Sequence, residues 1–99
     1  MNTITLHMEN HADNTVVSNY FIDTLMPQAN GEFVKIYLYL LRCVSASRIS
    51  LSVSEMADLF NQTETDILRG LRYWDKMNAL RLNFSPDGML TGISFTDLS

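Results

Sequence analysis

Two helix-start signals close together constrain the fold of this chain more than any other feature. Residues 52–55 (Ser-Val-Ser-Glu) form a capping box, in which the serine and the glutamate satisfy free backbone amides at the start of a helix. Residues 63–66 (Thr-Glu-Thr-Asp) form a similar start, and Asn61-Gln62 interrupts the chain between the two. The sequence therefore predicts two helices joined by a tight turn.

Both helices are predicted to have one apolar face. The first helix turns Met56, Leu59 and Phe60 toward the core. The second helix carries an inward stripe that consists of Ile67, Leu68, Leu71, Trp74 and Met77. Asn78 is expected to end this helix, because asparagine tolerates the left-handed backbone that closes many helices.

A β-hairpin is predicted directly after these helices. Residues 80–84 alternate between apolar and polar, residues 85–88 (Ser-Pro-Asp-Gly) are typical of a tight turn, and residues 89–95 form the partner strand. Two short helices followed by a hairpin are typical of a winged helix-turn-helix, in which the hairpin is the wing. The expected fold class is therefore mainly α with a small β-hairpin (α+β).

An N-terminal arm is predicted to precede the helix pair. Residues 3–8 alternate as an extra N-terminal strand, residues 15–17 are β-branched and could form a second short strand, and residues 19–27 form a short helix that ends at a proline. The apolar face of that helix consists of Phe21, Ile22 and Leu25.

The length of the chain, 99 residues, suits a single domain that spans residues 1–99. Its expected parts are an N-terminal arm (1–17), a helical part (18–78) and a wing hairpin (79–96). A core of this size is only marginally stable, so oligomerisation would help it.

The helix predicted for residues 32–44 is apolar around nearly its whole circumference, and only Glu32, Lys35 and Arg42 interrupt it. Such a helix must be buried on more than one side. Either it is a central core helix covered by the N-terminal segment, or part of it completes a dimer, and both hold if the N-terminal strand crosses between subunits. The candidate oligomer-interface residues are Ile4, Leu6, Met8, Val34, Tyr37 and Tyr39.

The net charge of −4 argues mildly against nucleic-acid binding, which usually requires a basic surplus. The distribution of charge along the chain is less unfavourable to nucleic-acid binding, since all seven lysines and arginines lie between Lys35 and Arg81. The hairpin turn offers only the Asp87 carboxylate, where a DNA-contacting wing generally offers lysine or arginine. A DNA-contacting wing is therefore not expected.

The outer face of the second helix of the pair is the candidate contact surface for nucleic acid or a partner protein. It consists of Thr65, Arg69, Arg72, Tyr73 and Lys76. The three cations suit phosphate oxygens, but Glu64 and Asp66 crowd the end of the helix that usually enters the major groove. Three interpretations stay open: a solvated face with local pairs such as Arg72–Asp75, a partner-protein surface, and a DNA-reading face.

Catalysis and metal binding find no support in the residue pattern, so we expect no enzyme and no cofactor. His7 and His11 fall on the predicted strand and on a polar loop, with no cysteine or carboxylate at ligand spacing. Cys43 is the single cysteine, which excludes an internal disulfide and fits a reducing cytoplasm. No apolar run approaches the roughly 20 residues of a membrane span, and no signal peptide is visible. The expected location is the cytoplasm, without a membrane partner.

Residues 15–23 and 26–42 resemble the N-terminal domain of DnaD-type replication proteins, and the Met-Pro to Leu-Leu-Arg block of the second range is the more specific part. Residues 71–77 and 80–82 are similar to the last helix and first wing strand of the same family. The resemblance implies a cytoplasmic factor that helps to load the replicative helicase in bacteria. In that family the N-terminal winged helix mediates self-association and contact with the initiator DnaA, whereas a separate C-terminal domain carries most of the DNA binding.

The sequence therefore predicts an adaptor and oligomerisation domain of a bacterial replication-initiation protein, acting by protein–protein contacts. Its expected partners are further copies of itself, as a dimer or higher oligomer, and replication initiator or helicase-loading proteins, with DNA at most a weak partner. The alternative is a winged-helix DNA-binding transcriptional regulator. That alternative predicts salt-dependent duplex binding that weakens when Arg69 and Arg72 are replaced by alanine.

Overall fold

A computed structural model of the chain describes residues 14–45 and 51–98. These residues form a mainly helical α+β fold with one two-stranded antiparallel hairpin, which confirms the expected fold class. In chain order the elements are a π-helical turn (Phe21–Leu25), a 3-10 turn (Met26–Gln28), α1 (Gly31–Ser45), α2 (Val53–Phe60), α3 (Glu64–Lys76), β1 (Leu80–Phe84) and β2 (Leu90–Phe95). The predicted N-terminal strand at residues 3–8 lies outside the described residues.

The starts of α2 and α3 follow the two capping signals. The Ser52 hydroxyl accepts a hydrogen bond from the Glu55 backbone amide at 3.0 Å. At α3 the Thr63 hydroxyl accepts from the Asp66 amide at 3.1 Å, and the Asp66 carboxylate accepts from the Thr63 amide at 3.4 Å. This reciprocal pair satisfies two backbone donors that the helix cannot satisfy itself, and it fixes where α3 begins.

Two asparagines close these helices, and for Asn78 this role was predicted. Asn61 follows α2 with φ 54°, and Asn78 follows α3 with φ 61°. Both angles lie in the left-handed region, which asparagine tolerates better than most residues. The turn at Asn61 is short, so α2 and α3 form the tight helix pair expected from the sequence.

Helix α3 is the centre of the molecule, because α1, α2 and β1 all pack against it. Its predicted inward residues Ile67, Leu71 and Trp74 have no exposed surface, and Leu68 and Met77 are half-buried at the edges of the stripe. The apolar stripe of α3 is therefore confirmed.

An aromatic cluster joins the N-terminal turn to α1 and α3. The ring of Phe21 stacks on Tyr37 with centroids 4.2 Å apart, and both rings lie 5.2 Å from Trp74. The indole N–H of Trp74 donates to the Phe33 carbonyl at 2.6 Å, so the one polar atom of this buried side chain is paired. The cluster holds the N-terminal turn against the helices.

The hairpin forms the predicted wing. Leu80 pairs with Phe95 and Leu82 with Ile93, until a bulge between Asn83 and Phe84 shifts the register. The turn from Ser85 to Met89 closes with a backbone hydrogen bond of 2.8 Å, and Gly88 takes φ 86°, a conformation in which a side chain would be strained. Strand β1 turns Leu80 and Leu82 into the core.

Three expectations for individual segments were wrong. Residues 15–17 form no strand, because no described strand lies beside them to pair with. Ile22 is exposed, since the π-helical turn points Phe21 and Leu25 inward instead. Leu59 is 55% exposed, because the inward direction of α2 lies between Met56 and Ala57. The small Ala57 side chain, and not the larger Leu59, faces the core.

Candidate functional site

The outer face of α3 brings together most of the residues predicted there. Thr65, Arg69, Arg72 and Lys76 are all exposed, and their spacing of three to four residues places them on one side of the helix. Tyr73 does not join them. Its half-buried ring lies 5.2 Å from Phe33 and 4.9 Å from Trp74, so it packs at the edge of the core.

The cations on this face differ in their pairing. Arg69 lies 3.7 Å from the Asp66 carboxylate, and an exposed pair of this kind contributes little to stability. Arg72 and Lys76 form no ion pair with another described residue, and the local Arg72–Asp75 pair suggested by the sequence is not formed. Their charges are therefore available to a partner.

Carboxylates stand at the two places where a winged helix usually meets DNA. Glu64 is exposed and Asp66 half-buried at the start of α3, and Asp87 is exposed at the tip of the wing. The Ser85 hydroxyl donates to the Asp87 carboxylate, and the Met89 amide lies 3.4 Å from the same oxygen. The Ser85 hydrogen bond is the main reason that the pKa of Asp87 is lowered, so this group stays charged at neutral pH.

A groove of about 640 Å³ runs between the end of α1, the start of α2, the side of α3 and the wing. Much of its lining is apolar and includes Leu40, Leu51, Val53, Leu68, Leu90 and Ile93. Two wing residues remain exposed beside it: Phe84 at 47% and Met89 at 65%. This groove was not predicted from the sequence.

Phe84 is exposed although the alternation along β1 predicts that it turns inward with Leu80 and Leu82. The strand register shifts at this point, because one residue of β2 is left without a partner between Gly92 and Leu90. Phe84 lines the groove and keeps nearly half of its surface exposed. The one related signal in the sequence is the tight turn of residues 85–88, which has an apolar residue on each side.

The candidate oligomer-interface residues divide into three groups. Tyr37 is 3% exposed and belongs to the aromatic cluster of the chain's own core. Val34 is half-buried, and Tyr39 is half-buried with its ring edge-on to Phe60 at 5.7 Å. The remaining three, Ile4, Leu6 and Met8, lie outside the described residues. Oligomerisation itself stays a prediction. Tyr37 is too deeply buried to contact a second copy of the chain.

Helix α1 is less enclosed than its composition suggests. Ile36, Leu40 and Cys43 are buried with Tyr37, while Leu38 and Val44 are exposed. One face of α1 is thus a core face, in agreement with the interpretation of α1 as a core helix. The exposed Leu38 and Val44 are compatible with the other interpretation, in which part of α1 contacts a second copy.

Over residues 14–45 and 51–98, no three His, Cys, Asp or Glu side chains gather where they could hold a metal ion. In the same part of the chain, no helix combines the length and the apolar character that crossing a membrane requires. Cys43 is a free, buried thiol.

Comparison with known proteins adds no assignment to these surfaces. No family model, curated protein or solved structure matches the chain.

Proposed function

We propose that this chain is an adaptor module of a bacterial replication-initiation apparatus and that it works through protein–protein contacts. The observation that carries the proposal is the placement of acidic groups on a winged helix. Glu64 and Asp66 stand at the start of α3 and Asp87 at the wing tip, where relatives of this architecture that read DNA present cations. The resemblance of residues 15–95 to DnaD-type proteins supplies the replication context.

Electrostatics favour a protein partner over DNA. A duplex carries one negative charge per roughly 1.7 Å of its axis, so each exposed carboxylate at the contact opposes binding. The net charge of −4 adds to this repulsion at long range. By contrast, the exposed Phe84 and Met89 beside an apolar groove are the kind of surface that protein partners cover.

Self-association is part of the proposed role. The exposed Leu38 and Val44 of α1, with the N-terminal segment, are the candidates for contact between copies. The proposed role is cytoplasmic, and the free thiol of Cys43 agrees with a reducing compartment. Sedimentation velocity at high micromolar concentration is expected to show a dimer or larger species, and a clean monomer would contradict this part of the proposal.

Calorimetric titration of the purified chain with the initiator and helicase-loading proteins of its source bacterium tests the partner assignment. We expect saturable binding to at least one of them, with affinity little changed by moderate salt, because apolar burial is screened less than charge pairing. An absence of binding to all of them would refute the proposed role.

A second candidate function is a DNA-binding regulator, and the exposed cations of α3 favour it. Arg69, Arg72 and Lys76 share one face, and the latter two are unpaired among the described residues. Fluorescence anisotropy with duplex DNA distinguishes the two functions. Sequence-selective binding that Arg69→Ala and Arg72→Ala both weaken would establish the regulator in place of the adaptor.

A further inference from the structure

We propose that the groove between α3 and the wing binds a short partner segment that combines two or three apolar side chains with one carboxylate, and that Arg72 pairs with this carboxylate. The inference rests on the proposed adaptor function and deepens it, since it assigns a site and a chemistry to the partner contact. The occupant is a segment of another protein.

The groove has the size and the lining for side chains of a partner. Its volume of about 640 Å³ lies within the range of pockets that enclose small ligands, roughly 300–1,000 Å³. Leu68 forms part of the α3 wall, Val53 part of the α2 wall, and Leu90 and Ile93 part of the wing wall. Apolar side chains entering from a partner would be removed from water on three sides, which is the main favourable term in protein association.

The rim of the groove keeps two apolar side chains in water. Met89 is 65% exposed, and Phe84 is 47% exposed at the base of the same turn. Methionine has a flexible, polarisable side chain that adapts to different partners, and large exposed aromatic groups recur at interface centres. Both residues would close over a segment that occupies the groove.

The charges at the two ends of the groove determine in which direction a charged partner segment binds. Among the described residues that line the groove, Arg72 carries the only positive charge and forms no ion pair with another described residue. Glu64 lines the opposite end, eight positions earlier on α3, or about 12 Å along the helix axis. Arg69 and Lys76 lie on the same face of α3 as Arg72, but neither residue lines the groove.

These charges select a carboxylate. The planar guanidinium of arginine binds a carboxylate through two parallel hydrogen bonds, which fixes the direction of the bound segment as well as its charge. A segment with its carboxylate at the Arg72 end places its uncharged part toward Glu64. A nucleic acid strand would instead bring phosphates along the whole groove, including the Glu64 end and the nearby Asp87.

Selection from a random-sequence peptide library, displayed on phage, tests the inference with the intact chain as bait. Peptides selected on the wild-type chain are expected to share apolar residues and one Asp or Glu. Selection on Arg72→Glu is expected to exchange that acidic residue for Lys or Arg. The matched control is Lys76→Glu, which makes the same charge change on the same face of α3 outside the groove lining and should leave the acidic preference intact.

Binding measurements with one selected peptide show where it binds and how much Arg72 and Met89 contribute to its affinity. Arg72→Glu and Met89→Ser are each expected to lower the affinity for the peptide by about tenfold or more. Losing a charge-assisted hydrogen bond or an apolar anchor has an effect of this order. Both residues are exposed, so circular dichroism should show a folded chain in each variant. Amide shift changes on adding the peptide should centre on residues 90–93 and Leu68.

Several outcomes would overturn the inference. Peptides without a shared acidic residue, peptides that bind Arg72→Glu as well as the wild type, or shift changes confined to α1 would each do so. An oligomer that Met89→Ser converts to a monomer would assign the groove to a second copy of the chain instead.

The inference and the proposed function can fail separately. If a replication protein binds Arg72→Glu and Met89→Ser with unchanged affinity, the groove inference fails and the adaptor function stands. If no replication protein binds but the acidic peptide preference is found, the adaptor function fails and the groove inference stands.

Discussion

At the scale of single residues, Gly70 of α3 lies directly against side chains of α1. A Cβ atom at this position would lie 2.5 Å from Cδ1 of Ile36 and 3.1 Å from Cδ1 of Phe33. Ile36 is fully buried, so its side chain must shift within the packed core to admit a methyl group at Gly70. Glycine in the middle of a helix costs about 1 kcal/mol relative to alanine, and here the close packing of two helices compensates for that cost.

Gly70→Ala is expected to lower the free energy of unfolding by about 1 kcal/mol. Overpacking of a core costs about 1–3 kcal/mol, which exceeds the gain in helix propensity of about 1 kcal/mol. Urea denaturation followed by circular dichroism measures the difference. Combining the change with Ile36→Val, which removes the clashing methyl group, should recover part of the loss.

The control for this prediction is Gly31→Ala at the start of α1, where a Cβ would meet nothing within 4 Å. This substitution should leave stability unchanged or slightly raised. A Gly70→Ala variant more stable than the wild type would show that α1 and α3 can separate without cost.

Tyr37 makes the stability of the chain sensitive to alkaline pH. Burial in the aromatic cluster raises the pKa of its hydroxyl above the usual value of 10.0, because the charged form loses hydration. The folded state then holds the proton more tightly than the unfolded state, so stability is fully present below about pH 10 and falls as pH rises toward the folded pKa. Tyr37→Phe should therefore lose less stability above that pH.

Thermal unfolding at a series of alkaline pH values measures this dependence. Tyr20→Phe is the matched control, since Tyr20 is half exposed at the surface. If both variants follow the wild-type pH profile, the hydroxyl of Tyr37 does not contribute to alkaline unfolding.

At the scale of secondary-structure elements, the features that the sequence predicted are local ones. The caps of α2 and α3, the break at Asn61, the left-handed Asn78 and the wing turn each depend on residues within about four positions of one another. Local chemistry of this kind is independent of the rest of the fold, so it can be recognised without a structure.

The features that were missed depend on distant parts of the chain. Leu59 is exposed because packing against α3 sets the inward direction of α2. The groove is lined by residues of α1, α2, α3 and the wing, which are far apart in the sequence. Tyr37 was assigned to an interface because composition alone could not show that Phe21 would stack on it. Predicting each of these features would require knowing which helices and strands pack against one another.

Thr63→Ala is expected to lower the free energy of unfolding by about 1 kcal/mol, because it removes one half of the capping box of α3. The effect should be global, since α1, α2 and β1 all pack on this helix. Thr65→Ala is the matched control, as an exposed threonine in the same turn that takes no part in the cap. Equal losses in the two variants, measured by urea denaturation, would contradict the capping role.

At the scale of the whole molecule, acidic groups and an apolar groove lie side by side. The acidic groups at the start of α3 and at the wing tip lie on the side that a winged helix turns toward a duplex, and the groove, which Glu64 also lines, lies between these elements. This arrangement supports the proposal that the chain contacts proteins and not DNA.

Asp87→Lys is expected to raise the affinity for duplex DNA of arbitrary sequence. A lysine at the wing tip can neutralise one phosphate, so the slope of log affinity against log salt should steepen by about 1. Asp23→Lys is the control, because it makes the same change in net charge at an exposed position in the N-terminal turn. Fluorescence anisotropy over a salt series measures both, and equal slopes would show that the wing does not face DNA.

The buried indole of Trp74 has a practical consequence for all of these measurements. It is the single tryptophan of the chain, and it contacts the N-terminal turn, α1 and the neighbouring Tyr73 at once. Because the ring is fully buried, its fluorescence emission is expected to shift to longer wavelength when unfolding brings water to it. The chain thus contains its own spectroscopic reporter, which responds to separation of any of these parts without an added label.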